Sequence, residues 1–164
     1  MLLWVVRHAI AISREDPASP ADPERALTER GRWRMEEAAR GLANLEVAPD
    51  RILSSPYVRA RQTAEIVAEV LEFPGSIECS ESLEPGEDPA EIVREIVLAR
   101  VPTMVCGHAP HVDRLIAHLV GSTHGFTSLK KGGTAQLELS GSATGVPALL
   151  DWLLPPRALR RVGE

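Results

Sequence analysis

Cysteine is scarce in this chain, and long apolar runs are missing. The two cysteines among 164 residues, Cys79 and Cys106, make neither a disulfide framework nor a CxxC metal pair. No apolar stretch approaches the ~18 residues that cross a bilayer, so no membrane segment is expected. Basic charge is also in deficit. A net charge of −5 argues against a nucleic-acid binder that gains affinity by neutralising phosphates. No basic residue precedes the apolar N-terminus MLLWVVRHAIAI, which meets Arg7-His8 almost at once. That stretch reads as a buried strand rather than a signal peptide. These absences lead to the expectation of a soluble, cytoplasmic protein.

What is present has ordinary globular make-up, 44% hydrophobic and 25% charged, which excludes disorder, collagen and coiled coil as global descriptions. The length suits one domain with its own core. Lysine is nearly absent: of 18 basic residues only Lys130 and Lys131 are lysines. Arginine offers a planar fork of donors that fits phosphate and carboxylate oxygens. Codon bias accounts for the bulk of that preference, so the positions of particular arginines carry the information.

Leu2 to Val6 reads as a strand buried on both faces. Ser13 to Arg25, with three prolines and alternating charges, reads as a loop. Thr28 is the expected N-cap of a helix to about Leu45, with Met35, Ala38, Ala39 and Leu42 on one face. A second strand is expected at Arg51–Ser54. A helix follows from Pro56 to about Glu72, with Ala60, Ala64, Val67 and Leu71 inward. A weak strand near Ile77 leads into the turn-like, acidic Ser80–Pro89. Ala90–Arg100 has helical spacing, Thr103–Cys106 reads as a strand, and Pro110 opens a helix to about Val120. Gly121–Gly133 reads as loop, Ala135–Ser140 and Ala148–Leu154 as strands, and residues 155–164 as an exposed appendage. There are no repeats and no dividing linker. Strands alternating with helices predict one α/β domain over residues 1–164 with a mostly parallel sheet.

Three polar motifs occupy the same structural place in this scheme. Arg7-His8 follows the first strand, Ser55-Pro56 through Arg59 the second, and Gly107-His108 the strand at Thr103–Cys106. In open α/β sheets ligands collect outside the carboxyl ends of strands. Two histidines and two arginines therefore point into one crevice. Two arginines suit a tetrahedral dianion, and their charges should push down the pKa of a histidine between them. A neutral imidazole facing phosphorus is a nucleophile. Its attack gives a phosphohistidine enzyme that water hydrolyses, while the arginines spread charge on the equatorial oxygens. Guanidinium groups take the place of an ion, so no metal or other cofactor is expected.

At these residues the chain resembles a known family. VVRHAIA is similar to the RHG signature of the histidine phosphatase superfamily, which includes the phosphoglycerate mutases. SSPYVRARQTAEI resembles its second block and VCGHAPHVDRL its third, so the likeness spans about Leu2 to Leu139. The short chain, LTERG at Leu27–Gly31 and the near absence of an insertion between strands resemble the SixA-like branch, the small phosphohistidine phosphatases. The resemblance implies a three-layer phosphoglycerate mutase-like fold with helices on both faces of the sheet. It implies His8 as nucleophile, Arg7 and Arg59 as phosphate clamps, and His108 as a donor to the phosphoryl oxygens. Ala9 stands where the superfamily commonly has glycine, a substitution that the resembled branch accepts.

A second departure bears on substrate. Phosphomonoesterases and mutases of this superfamily use a carboxylate near an inserted helical segment as general acid. Here Ser80–Pro89 is short, and Glu81, Glu84, Glu87 and Asp88 are weak candidates, better read as a solvated face. An alkoxide leaving group needs such an acid. The imidazole of phosphohistidine departs neutral when its far nitrogen is protonated. The expected partner is thus a phosphohistidine-bearing protein such as a phosphotransfer domain, with a phosphate or sulfate anion also fitting the site, and the chain is expected to be a monomer. A small-molecule phosphomonoesterase or mutase is the alternative, and a non-catalytic phosphate-binding module a further one.

Neighbouring residues are given plainer readings. Arg61 projects from another helix face and reads as structural. His111 lies one turn from His108, but no cysteine or carboxylate is spaced to complete a zinc set. His118 and His124 read as a helix-face and a loop residue, Cys106 as a small buried hydrophobe, and Lys130-Lys131 as a solvated turn.

Overall fold

The computed structural model describes residues 1–140 and 148–164. Strands β1 (Leu2–Arg7), β2 (Arg51–Ser54), β3 (Ile77–Cys79), β4 (Thr103–Gly107), β5 (Thr134–Glu138) and β6 (Leu149–Leu154) form one sheet in the order β3-β2-β4-β1-β5-β6. β1, β2, β3 and β4 are mutually parallel, and β5 is antiparallel to both β1 and β6. β5 alone therefore runs against the rest, in keeping with the mostly parallel sheet expected. β1 and β4 lie in the middle and are buried on both faces, which is why they read as unbroken apolar runs rather than alternating ones.

The two faces of β1 show how the layers arise. Trp4 and Val6 pack with Met35, Ala38 and Leu42 of α1 (Glu29–Asn44) and with Ala64 and Val67 of α2 (Val58–Val70). Leu3 and Val5 pack on the opposite side with Ile92 and Ile96 of α3 (Pro89–Ala99) and with Val112, Leu115 and Ile116 of α4 (His111–Leu119). The single polar atom of the Trp4 side chain is satisfied inside the sheet, its Nε1–H donating to Gln136 Oε1 at 2.8 Å across the β1–β5 pair. Among the described residues no helix is long and apolar enough to cross a membrane.

The C-terminal residues depart from expectation. Instead of an exposed appendage, Pro156–Val162 forms a helix, α5, that packs on α1 and completes the first face. Leu159 is fully buried there. Gly41 permits the close approach, because a methyl group at that position would run into the Leu159 carbonyl. The α2 helix also begins two residues later than Pro56, with Tyr57 as its cap residue.

The entry to α1 bears directly on the crevice. Thr28 Oγ1 accepts from the Gly31 backbone N–H at 3.0 Å, and the Thr28 N–H donates to the Ile10 carbonyl at 3.0 Å. The helix start is thereby tied to the segment that leaves β1 just after His8. Gly31 lies against the same Ile10 carbonyl, with no room for a side chain.

Candidate active site

Register decides where the three motifs meet. Arg7 pairs with Gly107 and Ser54 with Cys106, so β1, β2 and β4 end at one level. Beyond the strands, the His8 N–H donates to the Gly107 carbonyl and the Ser55 N–H to the Cys106 carbonyl, each at 3.0 Å. The loops after three strands are therefore sewn together. This brings His8, Arg59 and His108 side by side: the two imidazole centroids are 5.1 Å apart, and Arg59 Nε lies 3.3 Å from His8 Nε2. Arg7 sits close enough for its charge to act on His8. All four residues singled out in the sequence share one crevice.

The hydrogen bonds assign the ring tautomers. His8 Nδ1 lies 2.7 Å from the Ala9 carbonyl, which can only accept, so Nδ1 carries the proton. His8 Nε2 is left with its lone pair facing the crevice, where the Arg59 Nε–H points at it. Burial, with the Arg59, Arg7 and Lys131 charges adding to it, pushes the His8 pKa down to about 3, against the pull of the Ala9 carbonyl. Desolvation thus outweighs the like-charge effect expected from the sequence. His108 is held down to about 2, again by burial first and then by His8 and Arg59. Its Nε2 lies 2.9 Å from Ser55 Oγ, which itself accepts from the Tyr57 N–H at 3.3 Å. Among the described residues no other acceptor faces the serine proton, so Ser55 Oγ donates it to His108 Nε2 and the ring proton sits on His108 Nδ1, which has no protein partner. Tyr57 stacks edge-on to His108 at 5.1 Å and lies under the Arg59 guanidinium at 5.0 Å.

Both arginines are anchored before any ligand arrives. Arg7 donates from one terminal nitrogen to the Leu129 carbonyl at 2.7 Å, and Asp113 Oδ1 holds that loop through Thr127 Oγ1 and the Leu129 N–H. Arg7 Nε stays buried without a partner. Arg59 donates to the Asp22 carbonyl at 2.6 Å and pairs with the Asp22 carboxylate at 3.3 Å. Asp22 also binds Arg14 and Arg25, at 2.7 and 2.8 Å. Partial burial pushes its carboxyl pKa up, but hydrogen bonds from Arg14 and Arg25 and the charge of Arg59 outweigh it and hold the group well below the ordinary range. Thr63 completes the frame: its hydroxyl donates to the Arg59 carbonyl at 2.7 Å and accepts from the Ala9 N–H at 3.0 Å.

Sequence reasoning did not single out Asp22 or Thr63, and it placed Ser55 in the second polar motif without giving it a task. Asp22 lies in a stretch read only as a loop, and as one of six charged residues there it gave no direction. Thr63 lies one turn after Arg59 on α2, so the spacing held a signal. The carboxylate paired with Arg59 is Asp22, and within the acidic Ser80–Pro89 segment Glu84 is half-buried. Asp88 is engaged as the cap of α3, accepting from the Ala90 N–H at 3.0 Å, and Glu81 and Glu87 are exposed.

Other readings can be placed. Cys106 is fully buried, and desolvation pushes its thiol up to about 12, so it is inert. Arg61 pairs with Glu65 at 3.5 Å on the exposed face of α2. His118 and His124 are exposed, on α4 and in the following loop. His111 is fully buried and neither ring nitrogen has a partner. Among the described residues no group of three or more His, Cys, Asp or Glu is disposed to hold a metal ion. Lys131 is exposed, as a solvated turn implies, but it also stands at the crevice rim. The adjacent Gly132 N–H bonds the carbonyls of Arg7 and His8 at 3.0 and 3.2 Å, and the lysine charge acts on His8.

Residues 3–84 match the histidine phosphatase superfamily (branch 1). An uncharacterized protein of Picosynechococcus sp. is 32% identical over 94% of this chain and 100% of its own length. The phosphohistidine phosphatase SixA of Escherichia coli is 29% identical, covering 98% of this chain and 97% of its own. Among solved structures, the protein histidine phosphatase SixA complexed with tungstate superposes with a TM-score of 0.84 at 28% identity, over 97% of this chain and 99% of the other.

Proposed function

This chain belongs to the histidine phosphatase superfamily, and from that premise we propose that it removes the phosphoryl group from phosphohistidine on a partner protein, through a covalent intermediate at His8 Nε2. One observation carries the reading. Around the free lone pair of His8 stand two buried donors that no protein atom satisfies, Arg7 Nε and His108 Nδ1. Buried donors are rarely left unpaired. A phosphoryl group whose phosphorus faces His8 Nε2 would present oxygens to both, and a third oxygen to Arg59.

The steps follow from the protonation states. His8 is neutral at physiological pH, and its Nδ1–H is fixed on the Ala9 carbonyl. Attack by Nε2 forms the N–P bond while the bond to the leaving nitrogen breaks. The His8 ring takes up positive charge, which the Ala9 carbonyl stabilises. Arg7, Arg59 and the His108 Nδ1–H meet the negative charge on the equatorial oxygens without reorganising. Water then attacks phosphorus from the vacated side and His8 leaves as neutral imidazole.

Asp22 supports phosphohistidine over an ester. It is the carboxylate bonded to Arg59, and its lowered pKa keeps it ionised at neutral pH. It cannot hand a proton to an alkoxide. A phosphohistidine needs none, because its imidazole leaves neutral when the far nitrogen carries a proton. The E. coli relative named for phosphohistidine phosphatase activity agrees with this substrate class.

The test follows phosphate release in the presence of EDTA, from a phosphohistidine-bearing phosphotransfer domain and from a panel of phosphate esters. Release from phosphohistidine is expected, and His8→Ala should lower it by on the order of 1,000-fold or more. Arg59→Ala should cost roughly 100-fold or more, as loss of an oxyanion donor does. Turnover of esters together with inertness towards phosphohistidine would overturn the substrate assignment while keeping His8.

A further inference from the structure

The turn that leads into β5 is tied to the strand end that carries the nucleophile. The Arg7 N–H donates to the Gly133 carbonyl at 3.1 Å, and the Gly132 N–H reaches the Arg7 and His8 carbonyls at 3.0 and 3.2 Å. The Arg7 side chain binds the Leu129 carbonyl at 2.7 Å, and within the turn the Gly133 N–H closes on the Lys130 carbonyl at 2.7 Å. A connection with no other task is ordinarily mobile. This one is fixed at both ends, and it holds the chain's only two lysines, Lys130 and Lys131. Every other basic residue is arginine, so the lysine stem occurs only beside the crevice.

Lys131 faces the reacting residues. Its charge acts on His8 together with those of Arg59 and Arg7. Partial burial, then Arg7, Arg25 and Arg59, lower its own pKa, so its neighbours are the arginines of the crevice. The nearby carboxylates are engaged elsewhere: Asp22 pairs with Arg14, Arg25 and Arg59, and Asp113 holds the Leu129 loop. Among the described residues Lys131 has no ion-pair partner. Cations gathered at one place repel each other, and a dianion seated among them turns that repulsion into attraction. Arg7 and Arg59 meet such an anion from fixed positions, since backbone carbonyls anchor both. An ammonium with three donors on a flexible four-carbon stem can instead follow an oxygen as it arrives.

We propose that Lys131 is a further phosphoryl-binding residue, whose ammonium closes on the phosphoryl oxygens from the rim and adds a mobile cation to the fixed donors of Arg7, Arg59 and His108. The assignment rests on the phosphoryl site proposed above and extends it to a residue that reads, in the sequence, as a solvated turn. Because the dianion is present in the bound substrate as well as in the transferring group, Lys131 contributes to binding throughout. Its loss therefore raises KM more than it lowers kcat. Lys130 carries the same charge one residue away, is exposed, and is not among the charges that act on His8. The two lysines thus separate a specific contact from a diffuse positive patch.

The experiment titrates the purified protein with inorganic phosphate at physiological ionic strength and follows the His8 and His108 ring signals by NMR. Phosphate should shift both signals in the wild type. Lys131→Gln should raise the Kd by about tenfold, as loss of a charged hydrogen-bond donor does. Lys131→Arg should restore most of the affinity, and Lys130→Gln should stay within about twofold of the wild type. With whichever substrate the wild type hydrolyses, Lys131→Gln should raise KM by a similar factor and leave kcat within about threefold. Wild-type ring signals that phosphate leaves unmoved, an unchanged Kd in Lys131→Gln, or equal losses in the two glutamine variants would each overturn the assignment. Phosphate binding is read without turnover. Hydrolysis of esters in place of phosphohistidine would therefore leave this result standing, and an unchanged Kd in Lys131→Gln would leave the phosphohistidine assignment standing.

Discussion

In the proposed reaction, His8 is able to attack because its environment denies it a proton. A free imidazole titrates near 6.5, whereas burial and three neighbouring cations hold this one down to about 3. The expected outcome is that His8 and His108 ring signals, followed by NMR, do not titrate between pH 7.5 and 5. A midpoint near 6.5 at His8 would contradict the protonation state on which the chemistry rests. In the proposed reaction Ser55 acts one step back, by fixing which nitrogen of His108 carries the proton. Ser55→Ala should lower kcat by roughly 10- to 100-fold with little effect on KM, and Ser55→Thr should restore it. Equal activity of Ser55→Ala would mean that His108 keeps its tautomer unaided. At this scale the sequence was informative about which residues would meet, since Arg7, His8, Arg59 and His108 stand in one crevice as their motifs suggested. Asp22 and Ser55 stayed silent, because their tasks exist only relative to Arg59 and His108, which fold back from 37 and 53 residues away.

Helices and strands with a long apolar rhythm were legible at nearly their true bounds, α1 and its Thr28 cap above all. The missed element is α5. Its seven residues, PRALRRV, offer one fully buried position, Leu159, which is too little for a helical period to register. Two prolines at its start read as chain breakers, although proline at the first helical position is favourable because its missing N–H would go unpaired there anyway. What holds the helix is tertiary contact with α1 rather than its own propensity. Leu159→Ala should therefore destabilise the protein by about 2–5 kcal/mol, as a buried leucine truncation does. Gly41→Ala should undock α5 through the clash with the Leu159 carbonyl. Urea unfolding of both variants checks this, and wild-type stability in either would show that α5 contributes nothing to the fold.

For the molecule as a whole, three buried histidines set the response to acid. His8, His108 and His111 have folded pKa values of about 3, 2 and 4, below the 6.5 of an exposed imidazole. Above pH 6.5 both folded and unfolded chains hold them neutral, and stability is unaffected. Below it the unfolded chain binds protons that the folded one refuses, so stability falls as pH drops from about 6.5 towards 4. Each histidine contributes up to about 1.4 kcal/mol per pH unit to that slope. Urea unfolding at pH 7 and pH 5 should show the loss, and His111→Leu should reduce it while removing two unsatisfied ring nitrogens from the core. An identical stability at both pH values would exclude it. The class of fold and the convergence of strand ends were legible at this scale from strand-helix alternation. The strand order was not, because apolar runs say that a strand is buried but not beside which other strand it lies.

The central position of β1 has a consequence for how the protein is made. Of the six strands of this sheet β1 precedes the others in the chain, yet its neighbours lie far downstream: Leu3 pairs with Thr103 on one side and with Leu137 on the other. Such distant pairings are slow to form, since the loop must close before any contact repays it. A nascent chain that has not reached Gly107 has no carbonyl to bind the His8 N–H, no His108 beside the ring, and no Leu129 to fix Arg7. Its His8 is an ordinary solvated imidazole with an ordinary pKa. The segment that carries His8 is thus made well before the residues that bury and orient its ring, and the ring takes on its lowered pKa only once Gly107, His108 and Leu129 have joined it.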